Sequence, residues 1–125
     1  MAVQLNHTVV HSHNKQESAE FLARILGIGP PGTFGHFVTV EVANGVSLDF
    51  DNAEDVRSQH YAFLVEDAEF DPIFERVREE GIVYFADPMH QQPGEINTRH
   101  TGRGFYFNGP EGHNLEVITR PYGTV

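Results

Sequence analysis

The sequence predicts an α+β fold in which two β-α-β-β-β modules curl their sheets around a shared cavity. Strand and helix patterns alternate along the chain, and the same order of elements occurs in both halves. Gly27 and Gly81, which end the two predicted helices, lie 54 positions apart, and His7 and His60 lie 53 apart. We interpret this spacing as an internal duplication. The alternative is a coincidental likeness between two α+β halves.

The length of the chain suits one domain. It has 125 residues and a mass of 14.0 kDa, which is the usual size of a domain with its own core. We expect a single domain over residues 1–125, with module one at about 1–52 and module two at about 56–122. The boundary falls in an acidic, polar stretch without a periodic pattern, residues 51–58.

Module one shows a strand pattern, a helix pattern and a hairpin. Phe21, Leu22 and Ile25 recur at helical spacing, and Asn44-Gly45 is typical of a tight hairpin turn. The glycines and prolines at 29–32 predict a loop. The predicted elements are a strand at 3–10, a helix at 16–26, and strands at 37–42 and 46–50.

Module two repeats this order and adds a long loop. Its predicted elements are a strand at 60–65, a helix at 70–80, and strands at 82–85, 105–107 and 115–119. Residues 87–104 are polar, include two prolines and follow no period. Loops of this length inside a compact domain are often binding loops or lids.

The charge and composition exclude several classes of partner and chemistry. The net charge of −10 disfavours nucleic acid and anionic membranes, so we expect neither as a partner. The absence of cysteine excludes disulfides, thiolate metal sites and cysteine nucleophiles. Residues 1–15 lack the order of a signal peptide, so a cytoplasmic location is expected.

Histidine is the unusual residue, with eight copies against a single lysine. In a chain without cysteine, a divalent metal would be held by histidine and carboxylate side chains. His7 and His60 occupy equivalent places in the two modules, and Glu116 interrupts an apolar terminal strand, where a carboxylate is costly to bury without a partner. These three residues are the predicted metal ligands.

Three segments resemble the vicinal oxygen chelate superfamily, and the resemblance spans essentially the whole chain. They are Leu-Asn-His at 5–7, His-Tyr-Ala-Phe at 60–63, and Gly-Phe-Tyr-Phe-x-x-Pro-x-Gly-His-x-Leu-Glu at 104–116. The superfamily includes glyoxalase I, type I extradiol dioxygenases, fosfomycin-resistance thiol transferases and metal-free bleomycin-resistance proteins. The local similarity is greatest to the fosfomycin-resistance group.

The resemblance implies a glyoxalase-like fold and a site for a divalent ion (Fe²⁺, Mn²⁺, Zn²⁺ or Ni²⁺) held by His7, His60 and Glu116. It also implies a homodimer, in which both chains could contribute ligands to each site. Tyr106 takes the place of a tyrosine that contacts substrate in dioxygenases and fosfomycin enzymes, so it is the predicted catalytic hydrogen-bond donor. Asp49 is a candidate fourth ligand or substrate contact.

The long loop carries three further candidates for substrate binding. Arg99, His100 and Arg103 cluster in a chain with few cations, and they could meet an anionic group of the substrate. The alternative is that they form ordinary salt bridges within the loop. The remaining histidines are assigned to turns and loops, with His11 and His13 placed in the turn before the first helix.

We therefore expect a metal-dependent enzyme whose small-molecule substrate chelates the metal through two adjacent oxygens. Its reaction would be dioxygenase-like or glyoxalase-like, and thus that of an oxidoreductase or a lyase. One alternative is a fosfomycin-type thiol transferase, although Val9 stands where such an enzyme has a hydroxyl residue. The other is a non-catalytic protein that binds a drug or metabolite, as in bleomycin resistance.

Overall fold

The computed structural model describes residues 2–121 and divides the chain into two compact units, residues 1–57 and 58–125. Each unit contains one helix and one four-stranded mixed sheet, in the order β-α-β-β-β. The predicted α+β class and the repeated order of elements are therefore confirmed.

In the first unit, the first and the last strand along the chain lie side by side in the sheet. The elements are β1 (His7–Ser12), α1 (Lys15–Leu26), β2 (Gly32–Phe34), β3 (Phe37–Glu41) and β4 (Ser47–Asn52). Strand β1 pairs in parallel with β4. Strand β4 pairs with β3 and β3 with β2 in antiparallel fashion, which gives the order β1-β4-β3-β2.

Local sequence explains where α1 begins and ends. The Asn14 side chain accepts the backbone N–H of Glu17 at 3.1 Å, which caps the first turn. Gly27 has φ 71° and ends the helix in the left-handed conformation that glycine adopts without strain. The apolar face of α1, which includes Leu22 and Ile25, is buried and contacts β3 and β4.

The second unit repeats the topology with the order β5-β8-β7-β6, in which β5 and β8 are parallel. The elements are β5 (His60–Leu64), α2 (Asp67–Glu79), β6 (Tyr84–Phe85), a short 3₁₀ turn (Arg99–Thr101), β7 (Gly104–Asn108) and β8 (Asn114–Ile118). No helix within residues 2–121 is long and apolar enough to cross a bilayer.

An aromatic cluster joins α2 to one face of this sheet. Phe105 is fully buried, and its ring lies 5.5 Å from that of Phe70 and 5.3 Å from that of Phe74, both on α2. Because side chains alternate along a strand, the residues next to Phe105 in β7 point to the opposite face of the sheet. That opposite face is therefore available for chemistry.

Two strands of the first unit differ from the prediction, β1 in its extent and β2 in its existence. Strand β1 covers His7–Ser12 instead of 3–10, because its pairing with β4 continues to the pair Ser12 and Asn52. His11 consequently lies in the strand and not in the turn before α1. Strand β2 was not predicted, since the prolines before it obscured a three-residue strand that begins at Gly32.

The second unit also departs from the predicted boundaries. Helix α2 begins at Asp67, three residues earlier than predicted, because the side chain of Glu69 accepts the backbone N–H of Glu66 at 3.0 Å and stabilises the first turn. Strand β6 contains only Tyr84 and Phe85 of the predicted 82–85, since β7 provides pairing partners for those two residues alone.

Replacement of Phe105 by alanine tests the aromatic cluster. We expect Phe105→Ala to lower the free energy of unfolding by about 3–5 kcal/mol, because it leaves a cavity between the sheet and α2. Phe34→Ala is the matched control, since Phe34 is 75% exposed. Urea unfolding followed by circular dichroism measures both. Equal losses in the two variants would contradict the assigned core.

Candidate metal centre

The face of the second sheet that points away from α2 gathers three of the predicted site residues. Glu116 lies on β8 directly between Ala62 of β5 and Tyr106 of β7. His60 precedes Ala62 by two positions, so its side chain shares that face. Strand register therefore brings an imidazole, a carboxylate and a phenol together.

The His60 imidazole and the Glu116 carboxylate are in direct contact. Their Nε2 and Oε1 atoms lie 2.8 Å apart, and the side chains are 40% and 4% exposed. A carboxylate this deeply buried requires a positively polarised partner, and the imidazole N–H provides one.

His113 holds the start of β5 and so supports the position of His60. The backbone N–H of Gln59 donates to Nδ1 of His113 at 3.0 Å, and the carbonyl of Gln59 accepts the N–H of Asn114 at 2.8 Å. His113 itself is buried. These bonds fix the backbone next to His60 and hence the place of its ring.

The donor set at this contact fits a divalent metal ion. A neutral imidazole nitrogen and a carboxylate oxygen side by side are ligands that Fe²⁺, Mn²⁺ and Zn²⁺ accept, and the ion would replace the proton shared by His60 and Glu116. Within residues 2–121 no group of three histidine, aspartate or glutamate side chains is placed to hold a metal. The described part of the chain thus offers a pair of donors here, to which a further ligand must be added.

Tyr106 lies beside this pair. It is buried, and its ring centroid is 5.7 Å from that of His60. Nη1 of Arg99 donates to its hydroxyl oxygen at 3.4 Å. A tyrosine hydroxyl can both accept and donate a hydrogen bond, and here it accepts one from a guanidinium.

The three loop candidates lie at the same end of the sheet, around a cleft next to Glu116. The cleft is small and partly open to solvent. It is lined by Asn97, Arg99, His100, Arg103, Glu116, Ile118 and Arg120. The structure therefore places the three loop candidates and Glu116 at the border of one cleft.

Arg103 is already engaged by helix α2. Its guanidinium contacts the carboxylates of Asp71 at 2.8 Å and Asp67 at 3.2 Å, and it lies 4.2 Å from the centroid of the Phe70 ring. The hydrogen bond with Asp71 raises the pKa of Arg103 above its ordinary value. Arg103 thus fastens the loop to α2 through two salt bridges, whose carboxylates belong to the helix and not to the loop.

The first unit places His7 and Asp49 on one face of its sheet. His7 pairs with Ser47 and Val9 with Asp49 in the β1–β4 register, so all four side chains point away from α1. His7 is exposed and its Nδ1 contacts the Asn6 side chain at 2.6 Å. Asp49 is buried and accepts a hydrogen bond from the Ser47 hydroxyl at 2.6 Å.

Sequence reasoning missed His90, which it assigned to a loop. The His90 ring stacks on Phe85 with centroids 4.1 Å apart, and its Nε2 lies 2.8 Å from Oδ1 of Asn114, the residue that pairs with His60. The loop around it is held by Asp87, which accepts the backbone N–H groups of Gln91 and Gln92. No periodic signal in the sequence could have placed His90 at the sheet.

Comparison with known proteins gives matches over nearly the full chain. The structure of "Oxidase ChaP-H1" is 58% identical, with 98% of this chain and 99% of that chain covered and a TM-score of 0.96. "Oxidase ChaP-H2" is 55% identical, with coverages of 99% and 98% and a TM-score of 0.96. "Glutathione transferase FosA" from Serratia marcescens is 26% identical in an alignment of 125 positions that covers 94% of this chain and 81% of that protein.

The likeness to a glyoxalase/dioxygenase from Nostoc punctiforme, with 22% identity, a TM-score of 0.71 and coverages of 94% and 91%, confirms the predicted glyoxalase-like fold. No family model matches the chain.

Proposed function

Because this chain belongs to the vicinal oxygen chelate superfamily, we propose that it is a metal-dependent oxidase whose small-molecule substrate presents two adjacent oxygen atoms. The observation that carries the proposal is the buried Glu116 carboxylate 2.8 Å from His60. The 58% identity with an oxidase favours oxidation over glyoxalase-like chemistry.

The proposed metal ligands are His7, His60 and Glu116, and the proposed ion is iron(II). Two histidines and one carboxylate are the ligand set of non-haem iron oxygenases, whereas zinc offers no redox chemistry. When bound, the ion supplies Lewis acidity and open coordination positions for two neighbouring oxygens.

The side chains around the ion have separate roles in this proposal. Tyr106 donates its hydroxyl proton to a substrate oxygen, and Arg99 holds the phenol in place through its hydroxyl. Asp49 acts as a substrate contact on the other module and does not hold the metal. His100 borders the substrate at the cleft.

We further propose that a homodimer forms each site from two chains. His60 and Glu116 come together within the second unit, and a ligand from another chain would complete the set. In this arrangement His7 of one protomer joins His60 and Glu116 of its partner. The proposed place of action is the cytoplasm.

The second candidate is a fosfomycin-type thiol transferase. It is favoured by the match to glutathione transferase FosA over 94% of this chain. Val9, at 41% exposure on the same face as His7, is the observation against it, because it offers no hydroxyl group to a substrate.

Metal titration of single variants tests the ligand set. His7→Ala, His60→Ala and Glu116→Gln should each weaken Mn²⁺ binding by more than about 100-fold, since even loss of an outer-shell partner typically costs 10–100-fold. Asp49→Asn and the control His13→Ala should bind as the wild type does. Calorimetry with metal analysis measures the affinities. Stoichiometric, tight Mn²⁺ in His60→Ala would contradict the assignment, and absence of Mn²⁺ and Fe²⁺ from the reconstituted wild type would favour a metal-free binding protein.

Mixing two inactive variants tests whether each site draws on two chains. His7→Ala and Glu116→Gln should each lose the metal, but a heterodimer of the two has one intact site composed of the unmutated residues of both chains. Random reassociation should restore about a quarter of all sites, because half of the dimers are mixed and each has one such site. No recovery after verified exchange of protomers would show that the ligands come from one chain.

Paired diols test the requirement for adjacent oxygens. Catechol added to the iron(III)-loaded protein should produce a visible charge-transfer band, and resorcinol, whose hydroxyls are not adjacent, should not. Glu116→Gln should lose the band because it loses the iron. Equal spectra with both diols would contradict chelation through neighbouring oxygens.

A further inference from the structure

We propose that the cleft beside Glu116 is an anion subsite in which Arg99 binds a carboxylate of the substrate. The inference rests on the proposed function and extends it by naming the substrate class. The substrate would be a small molecule with an acidic group besides its two adjacent chelating oxygens.

The distribution of charge points to this cleft. The chain has a net charge of −10, so its overall field repels an anionic substrate unless cations are placed where the substrate binds. Of its eight lysine and arginine residues, three line the cleft: Arg99, Arg103 and Arg120. The same cleft is bordered by Glu116, one of the proposed metal ligands.

The three arginines differ in the carboxylates that already pair with them. Arg103 is paired with Asp67 and Asp71, and Nη1 of Arg120 lies 4.0 Å from Asp67. Within residues 2–121 no carboxylate lies within ion-pair distance of Arg99, whose guanidinium contacts the neutral hydroxyl of Tyr106. Arg99 therefore keeps the capacity for a bidentate bond with a carboxylate.

The backbone around Arg99 is fixed before any ligand binds. His100 and Thr101 have φ values of 56° and 61°, a left-handed conformation that is costly for two successive residues that are not glycine. Asn97 accepts the N–H of Arg99 at 3.2 Å, and Arg99 accepts the N–H of Gly102 at 2.9 Å. A turn held by these two hydrogen bonds positions Arg99 with a smaller loss of entropy on binding.

Close packing behind the turn explains why residue 102 is glycine. A Cβ atom on Gly102 would lie 2.7 Å from both Cγ of Arg120 and Oγ1 of Thr119. Thr119 also accepts the N–H of Arg103 at 2.8 Å. The turn is thus fastened to the chain that follows β8, next to the strand that carries Glu116.

Arg99 connects the cleft to the proposed reaction site. Because its guanidinium contacts the hydroxyl of Tyr106, a carboxylate bound at Arg99 would lie beside the phenol that donates to the substrate. A substrate held at the metal and at Arg99 is fixed at two points, which restricts its orientation.

The test compares two diols that differ by one carboxylate. Iron(III)-loaded wild type should bind 3,4-dihydroxybenzoate about 10- to 100-fold more tightly than catechol, as expected for a charge-assisted hydrogen bond. Arg99→Gln should abolish most of this preference, and Arg99→Lys should retain part of it. Arg57→Gln, which removes the same charge outside the cleft, should retain it in full. Charge-transfer absorbance gives the affinities, and metal analysis confirms equal iron content.

The outcomes separate the subsite from the proposed function. A wild type that binds both diols equally, or an Arg99→Gln variant that keeps the preference, overturns the subsite and leaves the metal site intact. If neither diol gives a band, the proposed function fails, and benzoate added to the metal-free protein then decides the subsite alone. Saturable NMR shifts of the Arg99 and Gly102 amides that vanish in Arg99→Gln support it, and their absence in the wild type overturns it.

Discussion

The second unit depends on a buried carboxylate that cannot be left without a partner. Glu116 lies in the middle of a central strand, and its side chain is 4% exposed. An isolated charge there would be too costly, so the imidazole of His60 and the position of β5 are coupled to it. A contact that stabilises a metal-free chain by sharing a proton is also one that a cation could take over. The contact between His60 and Glu116 thus stabilises the fold and also offers two donors to a metal ion.

Alternation along the strands turns this contact into a site. In β7 and β8 the fully buried residues Phe105, Phe107 and Val117 pack toward α2, and the residues between them occupy the opposite face. A shift of register by one residue would move Tyr106 and Glu116 into the aromatic core. The packing of the core against α2 therefore determines which side chains face the candidate site.

Sequence could predict this much because core and site follow regular periods. Local sequence patterns predict the duplicated order of elements and the glycine that ends α1. They also predict which residues of β5, β7 and β8 share a face. Strand β2 has only three residues and follows two prolines, so it shows no period, and His90 is placed by Asn114, which lies 24 positions further along the chain. The cluster of Arg99 and Arg103 was visible, but their different roles were not, because Asp67 and Asp71 reach Arg103 only through the packing of α2.

Two arginines of the long loop have different roles: Arg103 anchors the loop, and Arg99 is available to bind an anion. Arg103 gives its hydrogen bonds to two carboxylates and its flat face to Phe70, so it secures the loop on the helix that also supports the sheet. That attachment, together with the strained turn at His100 and Thr101, allows Arg99 to stand beside Tyr106 without a carboxylate of its own among residues 2–121. Arg99 is exposed to solvent, and its guanidinium has no charged partner among the described residues. Such an arrangement stabilises nothing by itself, and it becomes favourable when an anion arrives.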